Sequence, residues 1–384
     1  MSVESACFSF PTQIEYGPGK CAELPSILKQ LGVGKPLVVS DPGFAQTPAF
    51  KEIEAALDAG DISWSLCTDV HSNPVEDDVL KTLAAFQEHE ADSVIGVGGG
   101  SPLDVAKAVR LFIKRPDLKL SEFNYEDDWS GLVPFVAVPT TAGTGSEVGR
   151  SSVITPTATK RKAVLFHPEL LAAVAILDPK LTVGLPGLLT AATGFDAFTH
   201  CVESYTSPVL HPLCDGIALE GIRLIVQSLP QVMKSPSDLE ARGRLQLAAA
   251  MGGIAFQKDL GAAHSMAHPL STLHGLHHGL ANALSLTVVM EFNAKRAPGV
   301  YRQVALAMGK DVVSCGDAEA DQTAIDAVKE LLQSIDITPG LRHQGIGDGD
   351  VSALADEAIL DPCHQTNPVP VERSDFVDLY QAAL

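Results

Sequence analysis

The 384-residue sequence has few basic residues, no CxxC cysteine pair and no long apolar run. No apolar stretch approaches the roughly 18 residues that a membrane-spanning helix needs. The N-terminus lacks the basic and apolar regions of a secretory signal. The seven cysteines are widely scattered, which is typical of reduced thiols rather than of a disulfide framework. These absences predict a cytoplasmic protein with no membrane partner.

The net charge of the chain limits the kinds of molecule that it is expected to bind. Lysine and arginine total 27 against 47 aspartate and glutamate residues, so the formal net charge is −20. A chain this acidic repels phosphate backbones and anionic lipid, which excludes nucleic acid as the main partner. Hydrophobic residues make up 46% and charged residues 19%, a globular composition. We therefore expect a folded protein that binds a small molecule.

The pattern of secondary structure changes along the chain. In the first half, short β-branched runs alternate with helical periodicity, which predicts a mostly parallel, Rossmann-like sheet covered by helices. After about residue 185 only helical patterns continue, and the segment LTVGLPG marks the boundary. We predict an α/β domain over residues 1–185 and an all-α domain over residues 186–384. The predicted strands cover residues 37–41, 62–67, 93–99, 135–139 and 174–177.

A glycine-rich turn follows one predicted strand in the segment ADSVIGVGGGSPLDVAK. Its backbone can approach an anion closely, and the helix that begins there adds a favourable dipole. A pyrophosphate group is the expected ligand, although the run is neither a full GxGxxG motif nor a P-loop. A tight structural turn is the alternative. The residues of the turn are Gly98, Gly99, Gly100 and Ser101.

A second loop of small residues, TTAGTGSEVG, follows a later predicted strand. Two such loops after parallel strands would border a crevice at the carboxyl edge of the sheet, where ligands usually bind. Asp41 ends an earlier strand, where its carboxylate would accept hydrogen bonds from ribose hydroxyls and repel a 2′-phosphate. That charge favours NAD over NADP, whereas a simple turn cap at Pro42 is the alternative. The loop hydroxyls come from Thr140, Thr141 and Thr144.

Histidines concentrate in the second half of the chain. Five of the twelve lie between residues 264 and 278, and Asp196 and His200 are four residues apart on one predicted helix face. Three imidazoles with one carboxylate suit Fe²⁺, Zn²⁺, Co²⁺ or Ni²⁺. The alternative for a single histidine such as His274 or His277 is a hydrogen-bonded structural role. The predicted metal ligands are Asp196, His200, His264 and His278.

Taken together, these motifs resemble the iron-containing (group III) alcohol dehydrogenases. The resemblance covers nearly the whole chain and includes GGGSPLDVAK, PTTAGTGSEV, ILDPKLTVGLP, LTAATGFDAFTHCVESY, HSMAHPL, HHGLANA and Asn367-Pro368. It implies a dinucleotide-binding N-terminal domain, a metal-binding helical C-terminal domain and a homodimer or larger homo-oligomer.

The resemblance also implies roles for particular residues. It places the metal on the four ligands named above and His268 near the nicotinamide. The cofactor contacts that it implies are Asp41, Asn73, Gly98, Gly99, Gly100, Ser101, Thr140, Thr141, Thr144, Lys162, Leu181 and Leu185.

A narrower similarity to 4-hydroxybutyrate dehydrogenases appears in SEVGR, AFQK, GLHHG and CHQTNP. Such a substrate carries a carboxylate, which Arg150 or Lys258 could pair with; the alternative for each is a structural role. Asp259 departs from the expected pattern because it stands where glycine would follow AFQK. Its negative charge would disfavour an anionic substrate nearby, so the substrate stays open.

The expected activity is hydride transfer between a primary alcohol or aldehyde and NAD, supported by Fe²⁺, Zn²⁺ or another divalent metal. We expect His268 to relay the proton to solvent, through His274. A glycerol dehydrogenase or dehydroquinate synthase is an alternative on a similar fold. A metallohydrolase could use the same aspartate and histidines, but it would leave the glycine-rich turn unexplained. A catalytically silent metal-binding protein is the remaining alternative.

Overall fold

A computed structural model describes residue 10, residues 12–158 and residues 162–384. The chain divides into two compact units. An α/β unit comprises Phe10–Thr141 and Gly145–Leu185, and a helical unit comprises Pro186–Leu384 together with Ala142–Thr144. Among the described residues, no helix combines the length and the apolar character that crossing a membrane requires.

The described strands of the α/β unit are β1 (Gln13–Tyr16), β2 (Pro36–Ser40), β3 (Ser65–Cys67), β4 (Ser93–Gly98), β5 (Phe135–Pro139), β6 (Ser151–Ile154), β7 (Ala163–Phe166) and β8 (Val174–Leu177). Six of them form a parallel sheet with the strand order β1-β8-β5-β4-β2-β3. A separate antiparallel pair is formed by β6 and β7. The helices are α1 (Leu24–Gln30), α2 (Pro48–Ala59), α3 (Glu76–His89) and α4 (Gly100–Lys114).

The central strands are buried along their whole length, as strands covered by helices on both faces must be. The predicted α/β class with a mostly parallel sheet is therefore confirmed. The run predicted as a strand over residues 62–67 forms a strand only over Ser65–Cys67, at the edge of the sheet. Three strands were not predicted, namely β1, β6 and β7.

The parallel arrangement places the carboxyl ends of neighbouring strands at one edge of the sheet. Val39 of β2 pairs with Gly96 of β4, and Gly98 at the end of β4 pairs with Pro139 at the end of β5. The loops that follow these strands therefore begin side by side. This is the edge at which open α/β sheets bind their ligands.

The helical unit contains no β-strand within residues 186–384, all of which the structure describes. Its largest core is one continuous cluster of buried apolar side chains. The helices are α5 (Gly187–Thr206), α6 (Pro212–Lys234), α7 (Leu239–Ala255), α8 (Ala262–His274), α9 (His278–Arg296), α10 (Arg302–Ala307), α11 (Asp317–Ser334), α12 (Val351–Ala358) and α13 (Arg373–Ala383). Helix α5 packs against α6, α7 and α9, and α8 packs against α9.

Helix α9 starts in very close contact with α5. A Cβ atom at Gly279 would lie 2.2 Å from the carbonyl oxygen of Ala192, a separation that no side chain tolerates. Gly279 is the second residue of α9, and Ala192 lies one turn before Asp196 in α5. The glycine therefore sets how closely these two helices approach each other.

Candidate active site

Three helices of the helical unit carry the predicted metal ligands. Asp196 and His200 lie one turn apart on α5, so the helical period directs both side chains to the same face. His264 lies in the first turn of α8, and His278 is the first residue of α9. The packing of α9 against both α5 and α8 brings these positions together.

The four side chains form one compact group of donor atoms. Oδ1 of Asp196 lies 3.9 Å from Nε2 of His200, 3.9 Å from Nε2 of His264 and 3.5 Å from Nε2 of His278. Ligands about 2.1 Å from a tetrahedral ion lie roughly 3.4 Å apart, so these separations suit a single cation. Asp196, His200 and His264 are buried, and His278 is half-buried. The residues therefore fit a divalent ion with three nitrogen ligands and one oxygen ligand.

The electrostatics favour the protonation states of Asp196 and His200 that metal ligation requires. Burial alone would raise the pKa of Asp196, but the three imidazoles and a hydrogen bond from Asn282 outweigh it and lower the pKa to about 2. Burial lowers the pKa of His200 to about 4, against the opposing charge of Asp196. At neutral pH the carboxylate is thus ionised, and the His200 ring is neutral with a lone pair to offer.

Glu203 orients one of the predicted ligands, His264, and sequence reasoning missed it. Its Oε2 accepts a hydrogen bond from Nδ1 of His264 at 2.5 Å, and its Oε1 accepts one from the backbone N–H of Ala263 at 2.7 Å. Burial would lower the pKa of His264, but the hydrogen bond and the charge of Glu203 raise it overall. Glu203 lies seven residues after Asp196 on α5, a helical spacing that could have identified it.

Asn282 is a second residue that sequence reasoning missed. It lies one turn after His278 on α9 and is fully buried. Its side-chain amide donates a hydrogen bond to Oδ1 of Asp196 at 2.7 Å and lies 3.1 Å from Nε2 of His264. Asn282 therefore helps to fix the orientation of the Asp196 carboxylate.

His268 lies beside this group, and its partner Asp361 was also missed. The His268 ring stacks on the His278 ring with the centroids 5.2 Å apart, and Nδ1 of His268 donates to Oδ2 of Asp361 at 2.6 Å. His274 is exposed at the end of α8, six positions after His268. Six helical residues correspond to a rise of about 9 Å and a turn of about 240°, so the helix directs these two histidines to different faces. His277 is exposed just before α9.

In the α/β unit, several of the predicted cofactor residues gather at the carboxyl edge of the sheet. The backbone N–H of Thr140 donates to the carbonyl of Gly98 at 2.9 Å. A Cβ atom at Gly98 would lie 3.4 Å from Oδ2 of Asp41, and one at Gly99 would lie 3.3 Å from Cγ2 of Thr141. The loops after β2, β4 and β5 therefore meet.

The glycine-rich turn has the geometry that its sequence predicts. Gly98 has φ +152°, and a Cβ atom there would lie 2.6 Å from Cγ of Pro102, so both conformation and space require glycine. Helix α4 begins at Gly100 and directs its first backbone N–H groups toward this edge. An anion would therefore meet unpaired donors and the positive end of a helix dipole.

The other predicted cofactor contacts lie on several different loops and elements. Ser101 donates to the carbonyl of Ser72 at 2.8 Å, which ties the turn to the exposed loop that contains Asn73. Leu181 is buried in a short 3-10 helix after β8, and Leu185 follows it. Lys162 lies just before β7. Thr144 belongs to the helical unit, unlike Thr140 and Thr141.

Asp41 has the contacts of a turn cap as well as a place beside the glycine-rich turn. Its Oδ1 accepts a hydrogen bond from the backbone N–H of Phe44 at 2.8 Å. Its Oδ2 is directed toward Gly98. The cap and the expected ribose contact therefore involve different oxygens.

A buried ionic cluster lies on the first two turns of α4. Nζ of Lys107 donates to Oγ of Ser146 and to the carbonyl of Ser151, both at 2.8 Å, and Ser146 donates to Oδ1 of Asp104 at 2.8 Å. Burial raises the pKa of the neighbouring Glu147 to about 7 and lowers that of Lys107 to about 8. The cluster ties α4 to the segment that leads into β6.

Lys258 already has an anionic partner within the helical unit. Its ammonium group pairs with Asp215 and lies 3.4 Å from the carbonyl oxygen of Tyr205. The next residue, Asp259, has φ +62° and ψ −174°. This conformation favours glycine, which explains physically why glycine is expected after AFQK.

Comparisons with known proteins agree with this architecture. Residues 11–179 match the family model "Iron-containing alcohol dehydrogenase", and residues 190–384 match "Fe-containing alcohol dehydrogenase family, C-terminal". The chain is 36% identical to the probable alcohol dehydrogenase EutG of Escherichia coli over 98% of this chain and 94% of the relative. It is 34% identical to 4-hydroxybutyrate dehydrogenase of Cupriavidus necator over 95% of this chain and 96% of the relative.

Solved structures give the same result. A 1,3-propanediol oxidoreductase has a TM-score of 0.95 and 34% identity, covering 99% of this chain and 100% of that chain. Sulfoacetaldehyde reductase from Bifidobacterium kashiwanohense, in complex with NAD⁺, has a TM-score of 0.89 and 27% identity, covering 99% of each chain.

The chain thus belongs to the iron-containing alcohol dehydrogenase family, which confirms the resemblance seen in its sequence motifs. Its activity is that of an oxidoreductase of this class, and its substrates are small molecules.

Proposed function

We propose that the chain interconverts a primary alcohol and its aldehyde, with NAD as the hydride carrier. A divalent metal, preferably Fe²⁺, would be bound by Asp196, His200, His264 and His278. The observation that carries the proposal is the buried Asp196 carboxylate with three imidazole nitrogens within 3.9 Å of Oδ1. In this proposal residues 1–185 bind the dinucleotide and residues 186–384 bind the metal.

When bound, the metal supplies Lewis acidity that lowers the pKa of the substrate hydroxyl, and the nicotinamide accepts the hydride. The protein supplies position and charge. Asp196 is ionised, as its pKa of about 2 requires, and neutral His200 offers its lone pair. Glu203 holds Nδ1 of His264, which leaves Nε2 of that ring directed at the same point as the other ligand atoms.

His268 accepts the hydroxyl proton and passes it to solvent. Its half-exposed ring, stacked on His278, supports this role because it reaches both the ligand group and water. A second transfer through His274 stays a prediction.

The proposed dinucleotide site uses the carboxyl edge of the sheet. Gly98, Gly99, Gly100 and Ser101 would hold the pyrophosphate at the start of α4. Asp41 would accept from the ribose hydroxyls, and its charge favours NAD over NADP. The sulfoacetaldehyde reductase relative, which binds NAD⁺, supports this preference. The further contacts proposed are Asn73, Thr140, Thr141, Thr144, Lys162, Leu181 and Leu185.

We also propose that the chain works in the cytoplasm as a homodimer or a larger homo-oligomer. A 4-hydroxybutyrate activity is the narrower substrate proposal, supported by the 34% identity to such an enzyme. Arg150 and Lys258 are the proposed partners of a substrate carboxylate, and Lys258 would have to exchange its ion pair with Asp215 to bind one.

The test is one panel of assays. The protein is loaded anaerobically with Fe²⁺ or Zn²⁺, and alcohols, diols and ω-hydroxy acids are screened for reduction of NAD. We expect His264→Ala to lose bound metal and activity together. A variant that keeps one metal per chain and full turnover would refute the ligand assignment. A protein that binds metal but fails to bind NAD in a fluorescence titration would instead be a metallohydrolase or a silent metal-binding protein.

A further inference from the structure

Asp361 lies between α12 and α13, far along the chain from the metal-ligand residues, yet its carboxylate meets His268. Oδ2 accepts the hydrogen bond from Nδ1 of His268 at 2.6 Å. Oδ1 accepts from the hydroxyl of Ser265 and from the backbone N–H of Cys363, each at 2.9 Å. Three donors therefore converge on one carboxylate: Oδ2 accepts from His268, and Oδ1 accepts from the other two.

These contacts keep Asp361 ionised. Burial would raise its pKa, but the hydrogen bond from His268, with the donors from Cys363 and Ser265, lowers it well below the usual range. The Ser265 hydroxyl oxygen in turn accepts the backbone N–H of His364 at 2.8 Å. Because the same carboxylate caps the short helix Pro362–Thr366, the backbone holds it in place.

An ionised carboxylate can only accept hydrogen bonds, so Nδ1 of His268 must carry a hydrogen. In the neutral ring, Nε2 then carries the lone pair. This is the logic by which a buried aspartate sets the tautomer and the orientation of a catalytic histidine without taking the proton itself.

We propose that Asp361 is a positioning residue that holds His268 with Nδ1 protonated, so that Nε2 receives the proton of the substrate hydroxyl. This inference rests on the proposed function, in which His268 is the proton relay. The hydroxyl proton goes to Nε2 as the O–H bond breaks, and the electron pair of that bond forms the carbonyl. The C–H bond of the carbinol carbon breaks with it, its hydride would go to the NAD of the proposed function, and Nε2 later releases the proton to solvent. Asp361 stays ionised throughout.

Asp361→Asn is the informative substitution because it keeps size and removes one acceptor. Ser265 and the backbone N–H of Cys363 both direct donors at Oδ1, so the amide oxygen of asparagine belongs there. The amide NH₂ then faces His268 and requires Nδ1 to accept, which moves the ring hydrogen to Nε2. The substitution therefore inverts the tautomer of His268.

The first measurement needs no turnover. Nitrogen-15 NMR of the Zn²⁺-loaded enzyme, labelled at histidine, distinguishes protonated from unprotonated ring nitrogens, and His268→Ala identifies the signals of His268. We expect Nδ1 to be protonated in the wild type and Nε2 in Asp361→Asn. An unchanged tautomer in Asp361→Asn, or Nε2–H in the wild type, would overturn the proposal.

The second measurement is a double-mutant cycle on kcat. Loss of a positioned general acid–base lowers the rate by about 100-fold or more, so His268→Ala and Asp361→Asn should each do so with metal content retained and KM changed far less. Because the two act as one unit, the double variant should be no slower than His268→Ala alone. Effects that multiply would mean that Asp361 acts independently of His268 and would overturn the proposal.

Asp356→Asn is the matched control, since it removes one negative charge from an exposed residue of α12 that pairs with Arg373. It should leave kcat unchanged. If the wild type reduces no NAD with any alcohol, the proposed function fails, while the NMR measurement still decides whether Asp361 sets the tautomer. If His268→Ala turns over at the wild-type rate, both the relay and the inference fail.

Discussion

Glu203 accepts a hydrogen bond from Nδ1 of His264 at 2.5 Å, and this contact joins the two helices that carry three of the four proposed ligands. The same glutamate accepts the backbone N–H of Ala263, so it both orients the ring and satisfies an N–H group in the first turn of α8. A carboxylate behind a ligand histidine fixes the ring and makes its other nitrogen more basic.

Glu203→Gln should weaken metal binding about 10- to 100-fold, because an amide cannot accept from both His264 and Ala263. Competition with a chelator measures this affinity directly. Glu220→Gln is the control, since Glu220 is a half-buried residue of α6 paired with Arg223 and is not a member of the ligand group. Equal affinities for wild type and Glu203→Gln would show that Glu203 has no influence on the ligand.

Asp41→Gly should relax the preference for NAD over NADP by about tenfold, which corresponds to roughly 1.4 kcal/mol. The comparison is the ratio of kcat/KM for the two cofactors. Asp41→Asn separates the causes, because asparagine keeps the acceptor for the Phe44 N–H and removes the charge. A wild type that already prefers NADP would contradict the role given to Asp41.

Glu147→Gln should change how the stability of the α/β unit depends on pH. Burial raises the pKa of Glu147 from 4.5 to about 7, so its contribution to stability is present below 4.5 and is lost as the pH rises to 7. A glutamine side chain does not titrate, so the variant does not lose this stability as the pH rises. The free energy of unfolding of the variant, relative to the wild type, should therefore rise between pH 5 and pH 8 by on the order of 2 kcal/mol.

Urea unfolding followed by tryptophan fluorescence measures the free energy of unfolding of the α/β unit, because both tryptophans, Trp64 and Trp129, lie in that unit. Burial lowers the pKa of Lys107 to about 8, so the titration of Lys107 raises the free energy of unfolding only as the pH rises above 8. Measurements between pH 5 and pH 8 therefore separate the titration of Glu147 from that of Lys107. Glu126→Gln, at an exposed position, serves as the control. Parallel pH curves for Glu147→Gln and wild type would exclude this titration.

Asp259→Gly should stabilise the helical unit by about 1 kcal/mol, because the aspartate has φ +62°, a conformation that costs a non-glycine residue about that much. Calorimetry should show a Tm higher by roughly 2 to 4 °C. Asp259→Ala removes the charge and keeps the strain, so it should not reproduce the gain. Equal stabilisation by both would mean that the negative charge of Asp259, and not its backbone conformation, is the cause.

The regular parts of the fold, and the grouping of the four proposed ligand side chains, could be predicted because they follow recognisable sequence patterns. The spacing of Asp196 and His200, and that of His264 and His268, follows the helical period. The buried strands are continuous β-branched runs. In contrast, β1 has only four residues at the edge of the sheet, and β6 and β7 are equally short, so their patterns are too brief to recognise.

The orienting residues could not be found in the same way. Asp361 and Asn282 act through tertiary contacts, and an isolated aspartate or asparagine in the sequence looks like any helix cap or surface residue. Asp361 is 93 positions from His268, so only the fold brings them together. Glu203 is the exception, because its helical spacing from Asp196 was readable.

The close approach of α9 to α5 has a consequence for evolution and for design. Any methyl group at residue 279 would collide with the Ala192 carbonyl and push His278 away from Asp196, since each lies within a turn of that contact. The absence of a side chain at Gly279 thus limits how far apart the proposed ligands on α5 and α9 lie. A design that aims to admit a larger cation should therefore start at this helix contact rather than at the imidazoles.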